Sequence, residues 1–353
     1  MTEKDILVRL QPHTVNIYHL AEHSCTLYTV KARTLLTLDR FDLFAKLYYI
    51  EQREAGNLIE ARDVYDRHII AFNPNGKEPG REDKNSVEDF VSAFDVLIDR
   101  FRKEEFDDSI SLIPVSEGGS ILDGAHRVAA LAYFDREVTI AKFKGVHPKC
   151  SFDYRYFLDR GLSWTIADTI AHTMVHWTEN LHVACLWPKM GSESEKQKAV
   201  KYLANRYQII FEKRMTLSLK SLMAFVARVY DAQPWVTDPS NVQYKALECF
   251  SSNHEVHFVF FRGNGLDQVL TDKDAIRDIF QSGKHALHIT DNDEETRVVA
   301  DMLLTQDGLT SWYESSAGAA LKERIRECWY YFKKVQWINF KVTVAAVINK
   351  IRK

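Results

Sequence analysis

Nowhere does the chain approach the roughly 20 consecutive apolar residues that a membrane-spanning helix needs. Its opening, Met1 to Asp5, has no signal-peptide apolar region. Cysteine is scarce: Cys25, Cys150, Cys185, Cys249 and Cys328 are five, an odd number, with no Cys-x-x-Cys pair. That spacing argues against a zinc ribbon or a dithiol centre and leaves reduced thiols, as expected of a cytoplasmic protein. With 14 glycines and 8 prolines in 353 residues, fibrous and low-complexity classes are excluded. Also missing are Gly-x-x-x-x-Gly-Lys-Ser/Thr, the protein-kinase signature and Gly-x-Gly-x-x-Gly, so a nucleotide must be held by another device.

What is present is a globular composition, 46% hydrophobic and 27% charged, long enough for two domains with cores of their own. The net charge of −3 hides an asymmetry: Leu321 to Lys353 carries nine Lys and Arg against two Glu, a local +7, leaving −10 on the rest. An acidic body is a poor nucleic-acid surface, and nothing in the middle of the chain reads as helix-turn-helix, so DNA is not an expected partner. In the basic stretch Trp329, Tyr330, Tyr331, Phe332, Trp337 and Phe340 interleave with lysines. Such a helix suits a membrane interface, an acidic partner, or docking on the body with its lysines in water.

Apolar–polar alternation at Ile6–Leu10, Val15–Leu20 and Thr26–Val30 predicts short strands, and Leu38–Glu54 an amphipathic helix ending near Gly56. Asn73 to Gly80 reads as a loop. Ser86 is placed to cap a helix with Asp89 in its first turn, Phe90, Phe94, Leu97, Ile98 and Phe101 following at helical spacing. Strands at 111–115 and up to Leu122, a helix at 125–134 and a strand at 138–143 then alternate as an α/β unit. A helical connector follows over 151–180. A second α/β run spans 181–305: strands at 182–187, 207–217, 256–262 and 286–289, helices at 194–205, 219–230, 272–281 and 293–304. The expected domains are therefore 1–150 and 181–305, with a helical basic-aromatic tail over 306–353.

One turn carries chemistry. After the strand ending at Leu122, Gly124 frees the backbone to turn, and a helix starting at Ala125 points its unpaired N–H groups into the turn, an anion site. His126 and Arg127 stand in the first helical turn, where the dipole disfavours cations unless an anion is also there. Asp123 is placed to accept a hydroxyl proton or to hold magnesium beside phosphates. The alternative has Asp123 capping the helix, with His126 and Arg127 solvated.

Ile121-Leu122-Asp123-Gly124-Ala125-His126-Arg127-Val128-Ala129-Ala130-Leu131, followed by Val138-Thr139-Ile140, resembles the Asp-Gly-x-His-Arg-x-x-Ala segment of the ParB/sulfiredoxin-like superfamily over about residues 69–143. Sulfiredoxins carry a cysteine where Ala125 stands, and the partition proteins favour Gly-Glu-Arg-Arg, so the free serine kinases resemble this chain most by motif. The resemblance implies a ParB/sulfiredoxin-like domain with nucleotide phosphates held by Gly124, Ala125, His126 and Arg127. It also implies a catalytic glutamate upstream, for which Glu78 and Glu82 are the candidates. The cofactors implied are ATP or CTP with magnesium, tentatively at Asp123.

In the second half His288 and Asp291 are expected at a strand's C-terminal edge, where α/β sheets place ligands, with Asp291 and Glu294 forming a capping box. Lys213, Lys245, Lys273 and Arg277 near element ends, with Trp235 beside them, line a sugar-phosphate pocket or a solvated face. This half is similar in general character to proteins of bacterial surface-polysaccharide gene clusters. His172 and His176, four apart on a helix, are a zinc pair without a third ligand or simply packed histidines.

The function expected is a nucleotide-dependent phosphotransferase acting on a small hydroxylated substrate such as a sugar or hydroxy amino acid, peripheral to a membrane if the tail binds one. The alternatives are a nucleotide-sensing module with a partner-binding second domain, and a transferase whose chemistry lies in the second domain.

Overall fold

A computed structural model describes residues 3–78, 80, 83–188, 192–231, 233–249, 255–280 and 283–313. The fold mixes helices and strands, and the chain divides into two units, Met1–Trp177 and Thr178–Lys353.

In the first unit the elements run α1 (Glu3–Leu7), α2 (Pro12–Ile17), β1 (Cys25–Lys31), α3 (Asp42–Glu54), α4 (Leu58–Phe72), α5 (Val87–Lys103), β2 (Ile113–Val115), α6 (Ala125–Tyr133), β3 (Glu137–Phe143), α7 (Tyr154–Asp159) and α8 (Trp164–Trp177). The sheet order is β1-β3-β2, with β1 antiparallel and β2 parallel to β3. Two parallel neighbours need a crossover, and α6 supplies it. Its Val128, Ala129, Ala130 and Leu131 are buried. Helix α3 packs against α4, α6 and α8, with Leu43, Phe44, Leu47 and Ile50 fully buried. Helix α5 starts where expected, Ser86 and Asp89 forming a reciprocal capping box.

Two expected strands are helical instead. Pro12 opens α2 in its first turn, where its fixed φ and missing N–H cost nothing. Ile6 and Leu10, four apart, enter one core cluster with Leu20, Leu112 and Phe143. Over five residues an alternating pattern is compatible with both periods, and the helical one wins here. The predicted strand through Leu122 is reduced to a single antiparallel bridge between Val115 and Ile121. The connector proves to be α7 and α8, both inside the first unit.

The second unit comprises β4 (Leu181–Leu186), α9 (Glu193–Ala204), β5 (Gln208–Thr216), α10 (Leu219–Val229), α11 (Pro239–Cys249), β6 (Glu255–Arg262), α12 (Leu266–Phe280), β7 (Leu287–Ile289), α13 (Asp293–Leu304) and α14 (Gln306–Trp312). Its sheet, β5-β6-β4-β7, is antiparallel at every pairing. Helix α14 belongs to this body rather than to a tail. Trp312 is buried, its ring 5.0 Å from that of Phe225 and its Nε1 donating to the Met302 carbonyl at 2.9 Å. The basic-aromatic segment beyond Tyr313 lies outside the described residues. No described helix is long and apolar enough to cross a membrane.

Gly124 has φ +88°, and a Cβ there would sit 2.7 Å from Ile113 Cδ1. Gly124→Ala should therefore lower stability by about 1–3 kcal/mol, from the left-handed backbone and the clash with β2 together. A urea unfolding curve measures this; an unchanged midpoint would mean the turn is not built this way.

Candidate anion-binding site

The Gly124 turn starts α6 without a side-chain cap. Its first intrahelical bond runs from Val128 N–H to the Gly124 carbonyl at 2.9 Å, so the N–H groups of Ala125, His126 and Arg127 precede the ladder. Asp123 does not cap them: Gly124 is the N-cap residue and makes no side-chain cap bond. Asp123 Oδ2 instead accepts from Arg127 Nη2 at 3.1 Å, while Arg127 Nη1 reaches toward the Leu112 carbonyl at 3.4 Å. The turn opens into a cavity of about 620 Å³ in which Asp123, Gly124, Ala125, His126 and Arg127 all take part.

His126 is not the cation the sequence led us to expect. Burial, followed by the nearby Lys46 and Lys84, pushes its pKa well below the usual histidine value, so the ring is neutral at pH 7. Its Nε2 lies 2.7 Å from the hydroxyl of Tyr65, a phenol that burial holds in its protonated form. With Tyr65 as the donor to Nε2 the imidazole proton is on Nδ1; with the ring as the donor it is on Nε2.

A further part of the lining comes from the start of α3. Arg40 Nε and Nη2 grip both oxygens of Asp42 at 2.8 and 2.9 Å, and Arg40 Nη1 donates to the Ile121 carbonyl at 2.6 Å. Lys46 Nζ donates to Asp42 Oδ2 at 3.0 Å and to the Asp42 carbonyl at 3.1 Å. These three side chains line the cavity, yet as residues they are only 5%, 1% and 2% exposed for Arg40, Asp42 and Lys46. Burial alone would raise the Asp42 pKa; Arg40 and Lys46 outweigh it and hold the carboxylate ionised far below its ordinary range. Behind this wall His68 is fully buried, and neither ring nitrogen has a hydrogen-bond partner. Burial, then Lys46, keeps it neutral.

Of the two candidate glutamates, Glu78 lines the cavity, its Oε2 2.5 Å from Lys84 Nζ. Glu82 lies outside the described residues. Lys84 is itself buried and stands 5.1 Å from the centroid of the Phe90 ring. Sequence reasoning missed Arg40, Asp42, Lys46 and Lys84. A signal for two of them was available: Asp42 and Lys46 are four apart and share the buried stripe of α3 with Leu43, Leu47 and Ile50.

Compared with models of protein families, with curated proteins and with solved structures, the chain matches none. The reading of the site therefore rests on its own geometry.

The residues singled out in the second unit are engaged with one another or with neighbours. Buried His288 lies 2.9 Å from Glu295 through Nε2 and 3.1 Å from the Tyr230 hydroxyl through Nδ1. Asp291 pairs with Lys273 at 2.7 Å, and Arg277 with Asp274 at 2.9 Å. Lys245 sits 5.9 Å from the centre of the Tyr230 ring. The cap of α13 is Asn292, accepting from Glu295 N–H, and not Asp291 with Glu294. Because β7 runs antiparallel to β4, the rule that places ligands at the C-terminal edge of parallel strands has no purchase here. His172 and His176 lie on one helix face with tilted rings whose centres are 4.4 Å apart, the four-residue spacing at which two side chains of one helix can share a metal ion.

His68 and His126 have folded-state pKa values below the unfolded value. Their contribution to stability is thus complete above about pH 6.5 and lost as pH falls, at up to about 1.4 kcal/mol per pH unit for each histidine. Asp42 adds a further loss once pH drops below about 4. Urea unfolding between neutral and mildly acid pH should show a shallower decline for His68→Leu than for wild type; parallel curves would contradict the neutral buried histidine.

Proposed function

We propose that the first unit binds a nucleotide through its phosphates at the Gly124 turn and transfers a phosphoryl group to a small hydroxylated acceptor, such as a sugar or a hydroxy amino acid. The observation that carries this reading is the convergence of the α6 N-terminus, Arg127 and Lys84 on one cavity walled by Phe72, Phe90 and Phe152. An anion-binding end and an aromatic wall are what a nucleotide requires. The resemblance of Asp123-Gly124-Ala125-His126-Arg127 to the ParB/sulfiredoxin-like motif supports it. So does the strand–turn–helix–strand order of β2, α6 and β3.

In this reading the amides of Ala125, His126 and Arg127 and the Arg127 guanidinium hold ATP or CTP phosphates. The neutral His126 adds no charge. Magnesium commonly takes one or two carboxylates from the protein and the rest of its shell from phosphates and water. Asp123, partly exposed beside the turn, offers one such carboxylate. Glu78 is the proton acceptor for the hydroxyl. Catalysis of this kind is mainly positioning and charge stabilisation. One observation favours binding without transfer: Asp123 and Glu78 are each already engaged by a cation, Arg127 and Lys84 respectively. A nucleotide sensor is accordingly the second reading.

A thermal-shift series with ATP, CTP, GTP and UTP plus magnesium tests the proposal. One nucleotide should stabilise the wild type, by about 2.7 kcal/mol at a hundredfold excess over Kd, and Arg127→Ala should lose most of that shift. Equal shifts in both proteins would move the site elsewhere. Formation of a phosphorylated product then separates transferase from sensor.

A further inference from the structure

The α3 wall of the cavity holds more positive charge than its own residues neutralise. Arg40 and Lys46 share the single carboxylate of Asp42, and all three line the cavity while almost wholly buried. Among the described residues lining the cavity, the full set is four cations, Arg40, Lys46, Lys84 and Arg127, against three carboxylates, Asp42, Glu78 and Asp123. The last two are taken by Arg127 and Lys84. Among the ion pairs of the lining the surplus therefore falls on the Arg40–Asp42–Lys46 cluster, which Asp39 and Asp123 offset at Arg40, and Glu78 at Lys46, through charge alone.

Hydrogen bonding points the same way. An ammonium has three donors, and Lys46 places its bonds on the carbonyl and Oδ2 of Asp42 alone. The aliphatic and aromatic cover around the two cations is close: Lys46 Nζ stands 6.0 Å from the Phe72 ring centre and the Arg40 guanidinium 5.3 Å from that of Phe152. Burial first, and Arg40 second among the charges, weaken the hold of Lys46 on its proton, while Asp42 strengthens it. An anion in the cavity would strengthen it further. The cluster is also tied to the turn, since Arg40 donates to Ile121, three residues before Gly124.

We propose that the Arg40–Asp42–Lys46 cluster is a second anion subsite, so that the cavity selects a ligand with two adjacent anionic groups, a diphosphate unit being the simplest. Asp42 is the positioning residue: it fixes the guanidinium and the ammonium on one wall without meeting the ligand. One anionic group lies at the Ala125–Arg127 amides and the other against Lys46 and Arg40. The inference rests on the anion site at the Gly124 turn and adds to it the requirement for a second charge.

Isothermal titration at physiological ionic strength, with inorganic orthophosphate and pyrophosphate as probes and without magnesium, tests it. Wild type should bind pyrophosphate at least about tenfold more tightly than orthophosphate. In Lys46→Met that preference should shrink to about twofold while orthophosphate affinity is kept; in Arg127→Ala both affinities should fall and the preference persist. Equal affinities in wild type, or a preference that survives Lys46→Met, would overturn the subsite and leave the turn intact. Binding of neither anion by wild type would remove the anion site at the turn, and the subsite with it. Should Lys46→Met not fold, the wild-type ratio and its persistence in Arg127→Ala decide the matter.

Discussion

Two cations sharing one buried carboxylate hold the first unit in the form described. Arg40 clamps both oxygens of Asp42 and donates to Ile121, and Lys46 closes the group from the next turn of α3. Through these bonds the start of α3 is fastened to the chain just ahead of the Gly124 turn. Breaking such a group by removing one member typically costs about 3–5 kcal/mol, because the remaining charge stays buried. An apolar replacement of the whole set would be far less costly. Keeping charges here is therefore better explained by what they face, a cavity, than by what they add to stability.

The turn and the cluster approach the same space with complementary means. Helix α6 offers N–H groups and a dipole, directional and fixed by a glycine that no other residue replaces without strain. The α3 wall offers full charges on side chains locked by a common carboxylate. Phe72, Phe90 and Phe152 line the same cavity, and apolar walls strengthen the electrostatic contacts beside them. His126, kept neutral by burial and hydrogen-bonded to Tyr65, does not add to the crowd of cations.

The sequence made some of this legible and hid the rest for physical reasons. The turn at Asp123–Arg127 was readable because glycine, helix start and cation placement are local signals. The capped helix after Ser86 and most strands of the second unit were readable for the same reason. Strand direction in the second sheet was not: alternation of strands and helices does not distinguish parallel from antiparallel neighbours, and the His288–Asp291 expectation leaned on the wrong one. Short segments near the N-terminus misled because five residues cannot separate a period of two from one of 3.6. The α3 cluster was missed because its charges sit in an apolar stripe, and their partner Ile121 is 81 positions away from Arg40. Only the fold brings them together.

Hydrogen–deuterium exchange of the full chain with and without saturating magnesium nucleotide tests the central claim most directly, because it reports where a ligand protects backbone N–H groups. The account predicts new protection in peptides covering the Ile121–Val128 turn and the start of α3, with the sheet of the second unit unchanged. Protection confined to the second unit, around His288 and Asp291, would contradict it.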